Sequence, residues 1–149
     1  VDEPGFLIGP DAESEGTILY GTEAVLTVTE STVPWSTVMI RKSFGVAAAA
    51  HYGPDGYVLS WPSSESGPLP LEGGVAIAYK KEISEAKDPE AKRKEIEKKL
   101  AKTQNPFPRA ENFSVHEIID PRDTRKYLSK WIERVQSQLR AKIIIKNQR

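Results

Sequence analysis

The sequence predicts an α/β fold, and three observations carry that expectation. Two short runs that are apolar and largely β-branched, STVMI at 36–40 and YVLSW at 57–61, have the composition of buried strands. Stretches with helical apolar spacing or with helix start signals stand before, between and after them. The resulting order of helix, strand, helix, strand, helix is an α/β order, with strands too buried to be exposed edges.

Each element has a local reason. Glu3-Pro4-Gly5-Phe6 suits a type II turn, because proline fixes φ and the following glycine can take a positive one. After Gly9-Pro10, residues 11–32 carry acids in their first turn, and Ile18, Ala24, Val25, Leu26 and Val28 recur at roughly helical spacing, so a helix is expected despite two glycines. Val33-Pro34 ends it. The strand at 36–40 is expected to stop at Arg41-Lys42, with a short helix over Gly45–Tyr52. Gly53-Pro54-Asp55-Gly56 is a turn, and Pro62 closes the second strand. Leu71–Tyr79, small and apolar, is read as a helix packed closely through Gly73 and Gly74. Asp88-Pro89-Glu90 is an N-cap and first-turn signature for a Lys/Glu-rich helix running to about Lys102, and Asn105-Pro106-Phe107-Pro108 breaks it. Val115–Ile119 is a short strand. Asp120-Pro121-Arg122-Asp123 is the strongest start signal in the chain, with Asp at N-cap, Pro at N1 and an acid at N3. Tyr127, Leu128, Trp131, Ile132, Val135 and Leu139 then form one apolar stripe, so residues 120–142 are expected to be a helix that docks on another surface.

Composition narrows the chemistry. A length of 149 residues suits one domain or a piece of something larger, and 38% hydrophobic with 28% charged residues is globular in character. A formal net charge of +0 gives no global attraction to nucleic acid or to an anionic membrane. The absence of cysteine excludes disulfides, thiolate nucleophiles and Cys-based metal sites. His51 and His116 are far apart and lack a paired ligand pattern, so no metal is expected. No apolar run approaches the roughly 18 residues of a membrane span, and no signal or transit pattern is visible, which favours an intracellular protein. The opening VDEPGFLIG lacks an initiator methionine, as if upstream sequence had been removed. A fragment of that kind is expected to self-associate through apolar surface such as Ile143-Ile144-Ile145 and the last helix.

The stretch IRKSFGVAAAAH at 40–51 holds the chemistry. A strand, a glycine and a helix start bring unpaired backbone N–H groups together at the positive end of a helix. Fixed donors of this kind form an oxyanion hole, and small side chains let a planar group approach them. A tight turn followed by an alanine helix chosen for close packing accounts for the same residues.

VDEPGFLIG, TVPWSTVMIRKSFGVAAAAH, YVLSWPSSE with LEGGVAIAYKKEI, DPEAKRKEIEKKLAKTQNPF and VHEIIDPRDTRKYL resemble, in the same order, the carboxyltransferase (beta) subunits of biotin-dependent acyl-CoA carboxylases, above all the propionyl-CoA branch. The resemblance covers nearly the whole chain and corresponds to most of the C-terminal half of such a subunit. It implies a crotonase-like (ClpP/crotonase) spiral of strand-strand-helix units, with residues 1–149 forming part of the C-terminal, biotin-side domain. It implies transfer of CO2 from carboxybiotin to the α-carbon of an acyl-CoA. Biotin would be carried on another protein or domain, since the chain has no biotinylation sequence of its own. The implied oxyanion hole for the ureido oxygen of biotin falls on Gly45-Val46-Ala47, with the amides of Val46 and Ala47 as donors. Arg41, with Lys42, either orients the carboxylate of carboxybiotin or pins the strand end. The implied partners are an N-terminal carboxyltransferase domain, further copies in a homo-oligomer (a hexamer when full length), and a biotin carboxylase or biotin carrier subunit, in the bacterial cytoplasm or the mitochondrial matrix.

The chain departs from the family at several positions. The usual second glycine is Val46, and Ala49 stands where many members carry an Asp that influences acyl choice. SGPLPLEGGV replaces the commoner stretch ending in Met-Gly-Ala, keeping Gly74. Two other readings therefore remain: a methylmalonyl-CoA-type decarboxylase or transcarboxylase subunit, or an inactive assembly domain of the same fold.

Overall fold

The computed structural model describes residues 1–147; the side chains of Glu72 and of residues 141–147 lie outside that description, and with them the expected Ile143-Ile144-Ile145 surface. The chain forms two compact units, one over Val1–Ile118 and a second starting at Ile119. The first contains α1 (Pro10–Ser14), α2 (Thr17–Thr29), β1 (Ser36–Met39), β2 (Lys42–Phe44), α3 (Gly45–Ala49), β3 (Tyr57–Ser60), β4 (Glu65–Gly67), α4 (Leu71–Ala78), α5 (Lys80–Ser84), α6 (Pro89–Gln104), α7 (Pro106–Glu111) and β5 (Glu117–Ile118). The second contains α8 (Thr124–Asn147), preceded by a 3-10 turn over Pro121–Asp123.

Strands β1, β3 and β5 form a parallel sheet in that order, with Ser36 opposite Tyr57, Met39 opposite Ser60 and Leu59 opposite Glu117. β2 and β4 form a separate parallel pair, with Lys42 opposite Glu65 and Phe44 opposite Gly67. Two strand-strand-helix units result: β1, β2 and α3, then β3, β4 and α4. Val58, Leu59 and Ser60 are buried in succession, so β3 is covered on both faces, as its composition predicts. Met39, Val58 and Val115 form a buried cluster with Tyr52 and Ile118 packed against it. Each aliphatic side chain fully buried in this way contributes about 1.5–3 kcal/mol.

Several elements differ from the expectation. Gly5 takes the positive φ expected of it, 126°, but Glu3-Pro4-Gly5-Phe6 closes no backbone hydrogen-bonded turn: Glu3 bridges to Ser43, donating to Lys42 O at 2.6 Å and accepting from Phe44 N at 3.0 Å, and so pairs beside β2. The helix expected over 11–32 is divided because Gly16 takes a left-handed φ of 78°, which ends α1 and starts α2. The first strand ends at Met39, and Lys42 opens β2 rather than closing β1. Glu65 and Ser66 lie in β4, a strand that follows β3 without an apolar run of its own. The helix expected over Gly45–Tyr52 stops at Ala49. α5 and α7 were not expected; Asn105, read as a helix breaker, also caps α7 by accepting from Phe107 N at 3.1 Å. Asp88 caps α6 as expected, accepting from Glu90 N at 3.1 Å and Ala91 N at 3.0 Å. Asp120 caps the 3-10 turn, accepting from Arg122 N at 2.9 Å, so the α-helix itself spans 124–147 and not 120–142. Among the described residues no helix is long and apolar enough to cross a membrane.

Candidate functional site

β2 hands the chain to α3 through Gly45, whose φ of 64° is left-handed. A Cβ at that position would meet only Pro68 O, at an ordinary 3.5 Å, so conformation and not space is what requires glycine there. Phe44 before it is extended (φ −121°, ψ 142°) and offers no side-chain cap to the helix start. The amides of Val46 and Ala47 consequently have no hydrogen-bond partner among the described residues. Because α3 is five residues long, little macrodipole accumulates, and the anion-attracting property rests on the two local N–H groups themselves.

Gly45, Val46 and Ala47 line a cavity of about 410 Å³. Gly73 and Gly74 in the first turn of α4 line it too, and the cavity is completed mainly by apolar groups, including Phe6, Ile8, Ile18 and Ile77. Gly73 also has a left-handed φ, 80°. Val46 is 61% exposed and Ala47 3%, so one alkyl group stands at the mouth while the next packs inward. The predicted trio is thus together on one wall, next to the glycine pair of the following helix. Phe6 and Ile8 were not read as cavity residues from the sequence, and Ile18 was assigned to the helical apolar stripe; the available signal for the first two was apolar side chains in a Gly/Pro-rich segment with no such stripe to absorb them.

Arg41 does not line this cavity. Its Nε donates to Asp2 Oδ1 at 3.1 Å and Oδ2 at 3.0 Å, and its Nη2 lies 2.9 Å from Oδ2. Together with the Lys42 amide, it holds the Asp2 carboxyl below the usual carboxylate value. Of its two expected roles, this geometry is the pinning one. His51 lies 3.9 Å from Glu3 through Nε2, while its carbonyl accepts from Trp35 Nε1 at 2.9 Å and Thr37 Oγ1 at 2.6 Å. His116 Nδ1 accepts from Val58 N at 3.0 Å, which extends the β3–β5 ladder. Both histidines therefore hold structure together. Among the described residues no group of three His, Asp or Glu is placed to hold a metal ion.

A family model described as the carboxyl transferase domain matches residues 1–149. The propionyl-CoA carboxylase carboxyltransferase subunit of Haloferax mediterranei is 39% identical over 133 residues, covering 86% of this chain and 26% of that protein. The methylmalonyl-CoA carboxyltransferase 12S subunit of Propionibacterium freudenreichii subsp. shermanii is 36% identical over 137 residues, covering 89% and 26%. The crystal structure of a transcarboxylase 12S hexamer with methylmalonyl-coenzyme A and methylmalonic acid bound superposes with a TM-score of 0.78 at 34% identity, over 92% of this chain and 27% of that one. The chain spans about a quarter of the length of the curated relatives it matches.

Proposed function

From the premise that this chain belongs to the carboxyl transferase domain family, with a crotonase-like α/β fold of which it covers part, we propose that it is the biotin-side portion of an acyl-CoA carboxyltransferase subunit. Residues 1–149 lie within the C-terminal domain of that subunit, and α8 is its docking helix. The observation that carries this reading is the pair of unpartnered amides, Val46 and Ala47, on the wall of an apolar cavity.

The cavity suits the biotin ring system. Its volume of about 410 Å³ falls in the range of small-molecule sites, roughly 300–1,000 Å³. Its walls are apolar, like the thioether ring, and two neighbouring backbone donors suit one carbonyl oxygen. When bound, biotin supplies an activated carboxyl group for transfer to the α-carbon of an acyl-CoA. Val46 N–H and Ala47 N–H hold the ureido oxygen and stabilise negative charge as it grows there. The apolar walls exclude water, which strengthens both bonds. Gly45 supplies the conformation that presents the two amides without a Cβ in the left-handed region. Arg41 fixes β2 to the N-terminal segment through Asp2 and so acts by position. An N-terminal carboxyltransferase domain supplies the acyl-CoA side, further copies complete an oligomer, and a carrier protein delivers biotin from a biotin carboxylase. Transcarboxylase and decarboxylase subunits run the same half-reaction, and the 12S likeness keeps that direction as the second reading.

Replacing Val46 by proline in the full-length assembled subunit tests this. Proline fits the first turn of a helix but carries no N–H, and Gly45 before it keeps glycine's freedom. Carboxyl transfer should fall by about 10²–10³-fold with an unchanged unfolding midpoint, whereas Val46→Gly should retain activity. Full turnover in the proline variant would reduce the site to an assembly surface.

A further inference from the structure

A second cavity, of about 170 Å³, shares Gly45 with the first and is otherwise lined by Ser43, Ala48, Ala49, Tyr52, Gly67 and Arg109. β2, α3 and the turn after it, β4 and α7 bring these residues together within the N-terminal unit. No acid is among them. Arg109 Nε is buried and has no hydrogen-bond partner among the described residues. A guanidinium stays charged at any ordinary pH, and a buried N–H without an acceptor is costly. The missing element is therefore an anionic oxygen.

The remaining polar groups fit the same ligand. Tyr52 Oη lies 2.8 Å from Ser43 Oγ and donates to Met39 Sδ at 2.8 Å. A thioether is a weak acceptor, so this proton can turn to a stronger one at little cost. The cavity is well below the roughly 300 Å³ at which sites for whole small molecules begin, and it matches one small group. An Arg fork pairs with a carboxylate through two parallel bonds.

We propose that this cavity is a carboxylate subsite in which Arg109, with the Tyr52 hydroxyl, recognises a ligand carboxyl group beside the Gly45-Val46-Ala47 wall. It deepens the carboxyltransferase reading and rests on it for the origin of the carboxylate: either the carboxyl group that the reaction transfers, or one already present on the acyl chain. Carboxylate binding itself does not depend on that reading.

The first experiment titrates malonate into the ¹⁵N-labelled chain and follows the Arg109 Nε–H signal together with the Gly45 and Gly67 amide signals, which persist in every variant and give the affinities compared. A saturable shift is expected, with affinity lowered at least about tenfold in Arg109→Met. Ala49→Asp, which places a carboxylate inside the same cavity, should likewise abolish binding. No saturable shift, or equal affinity in both folded variants, overturns the proposal. The second experiment measures KM in the full-length enzyme carrying Arg109→Met. A raised KM for a carboxylated CoA thioester, with KM for its uncharged parent unchanged, identifies the transferred carboxyl group. A raised KM only for acyl-CoA bearing its own terminal carboxylate identifies the acyl chain. If neither KM moves, the subsite has no place in the reaction and the proposal fails. Malonate binding unaffected by Val46→Pro, in an enzyme that Val46→Pro also leaves fully active, would sink the oxyanion reading and leave this one standing.

Discussion

Gly53 shows how single glycines set distances in this molecule. A Cβ there would come within 2.3 Å of Trp35 Cβ and Cγ, atoms next to the backbone that cannot swing away. Trp35 in turn donates its indole N–H to His51 O, so the contact ties the turn before β3 to the end of the α3 segment. Gly53→Ala should therefore cost about 1–3 kcal/mol, as overpacking does, measured by urea unfolding. Gly5→Ala is the comparison, because its Cβ would meet nothing within 4 Å and only its φ of 126° opposes the change. Equal stability of Gly53→Ala and the parent would contradict the packing. The turn at Gly45 and the helix start after it were legible in the sequence because a strand end, a glycine and small residues stand consecutively. Arg109 was not, because only the placement of α7 beside β2 and β4 gives it a cavity to line.

Elements with strong local signals stand where the sequence puts them. Asp88 and Asp120 start their helical segments as caps, and the apolar runs at 36–40 and 57–61 are strands. β2 and β4 were illegible because each has three residues and no apolar alternation; their reason to exist is each other. α2 was overextended because helical spacing continues through Gly16, and spacing does not register a left-handed glycine. The Asp120 cap carries a pH signature. Hydrogen bonds from the Arg122 side chain and then its amide lower the Asp120 pKa from 3.8 to about 2. The sign is that of a depressed acid: its support for the turn is complete above the ordinary value and is lost as pH falls toward 2. The Arg122 amide signal should therefore titrate in that window, and Asp120→Asn should remove the step. A step that survives the substitution would assign it to another carboxyl group.

At the scale of the whole molecule, much apolar surface is open. Leu7, Ile8, Ile18, Leu19 and Tyr20 are each at least 61% exposed, and Ile8 and Ile18 also line the cavity of Val46 and Ala47. Apolar patches beside a site are where partners sit. In a chain that spans about a quarter of its relatives' length, the proposed N-terminal domain is the natural cover. Whether two main-chain N–H groups, and no reactive side chain, hold the biotin oxygen is decided by a binding experiment on the assembled subunit. Titrating biotin into the ¹⁵N-labelled assembly should shift the Val46 and Ala47 amide signals saturably while that of His116, in the β-sheet ladder, stays in place. Stationary Val46 and Ala47 signals at saturating biotin, in a correctly folded assembly, would contradict that main-chain hold.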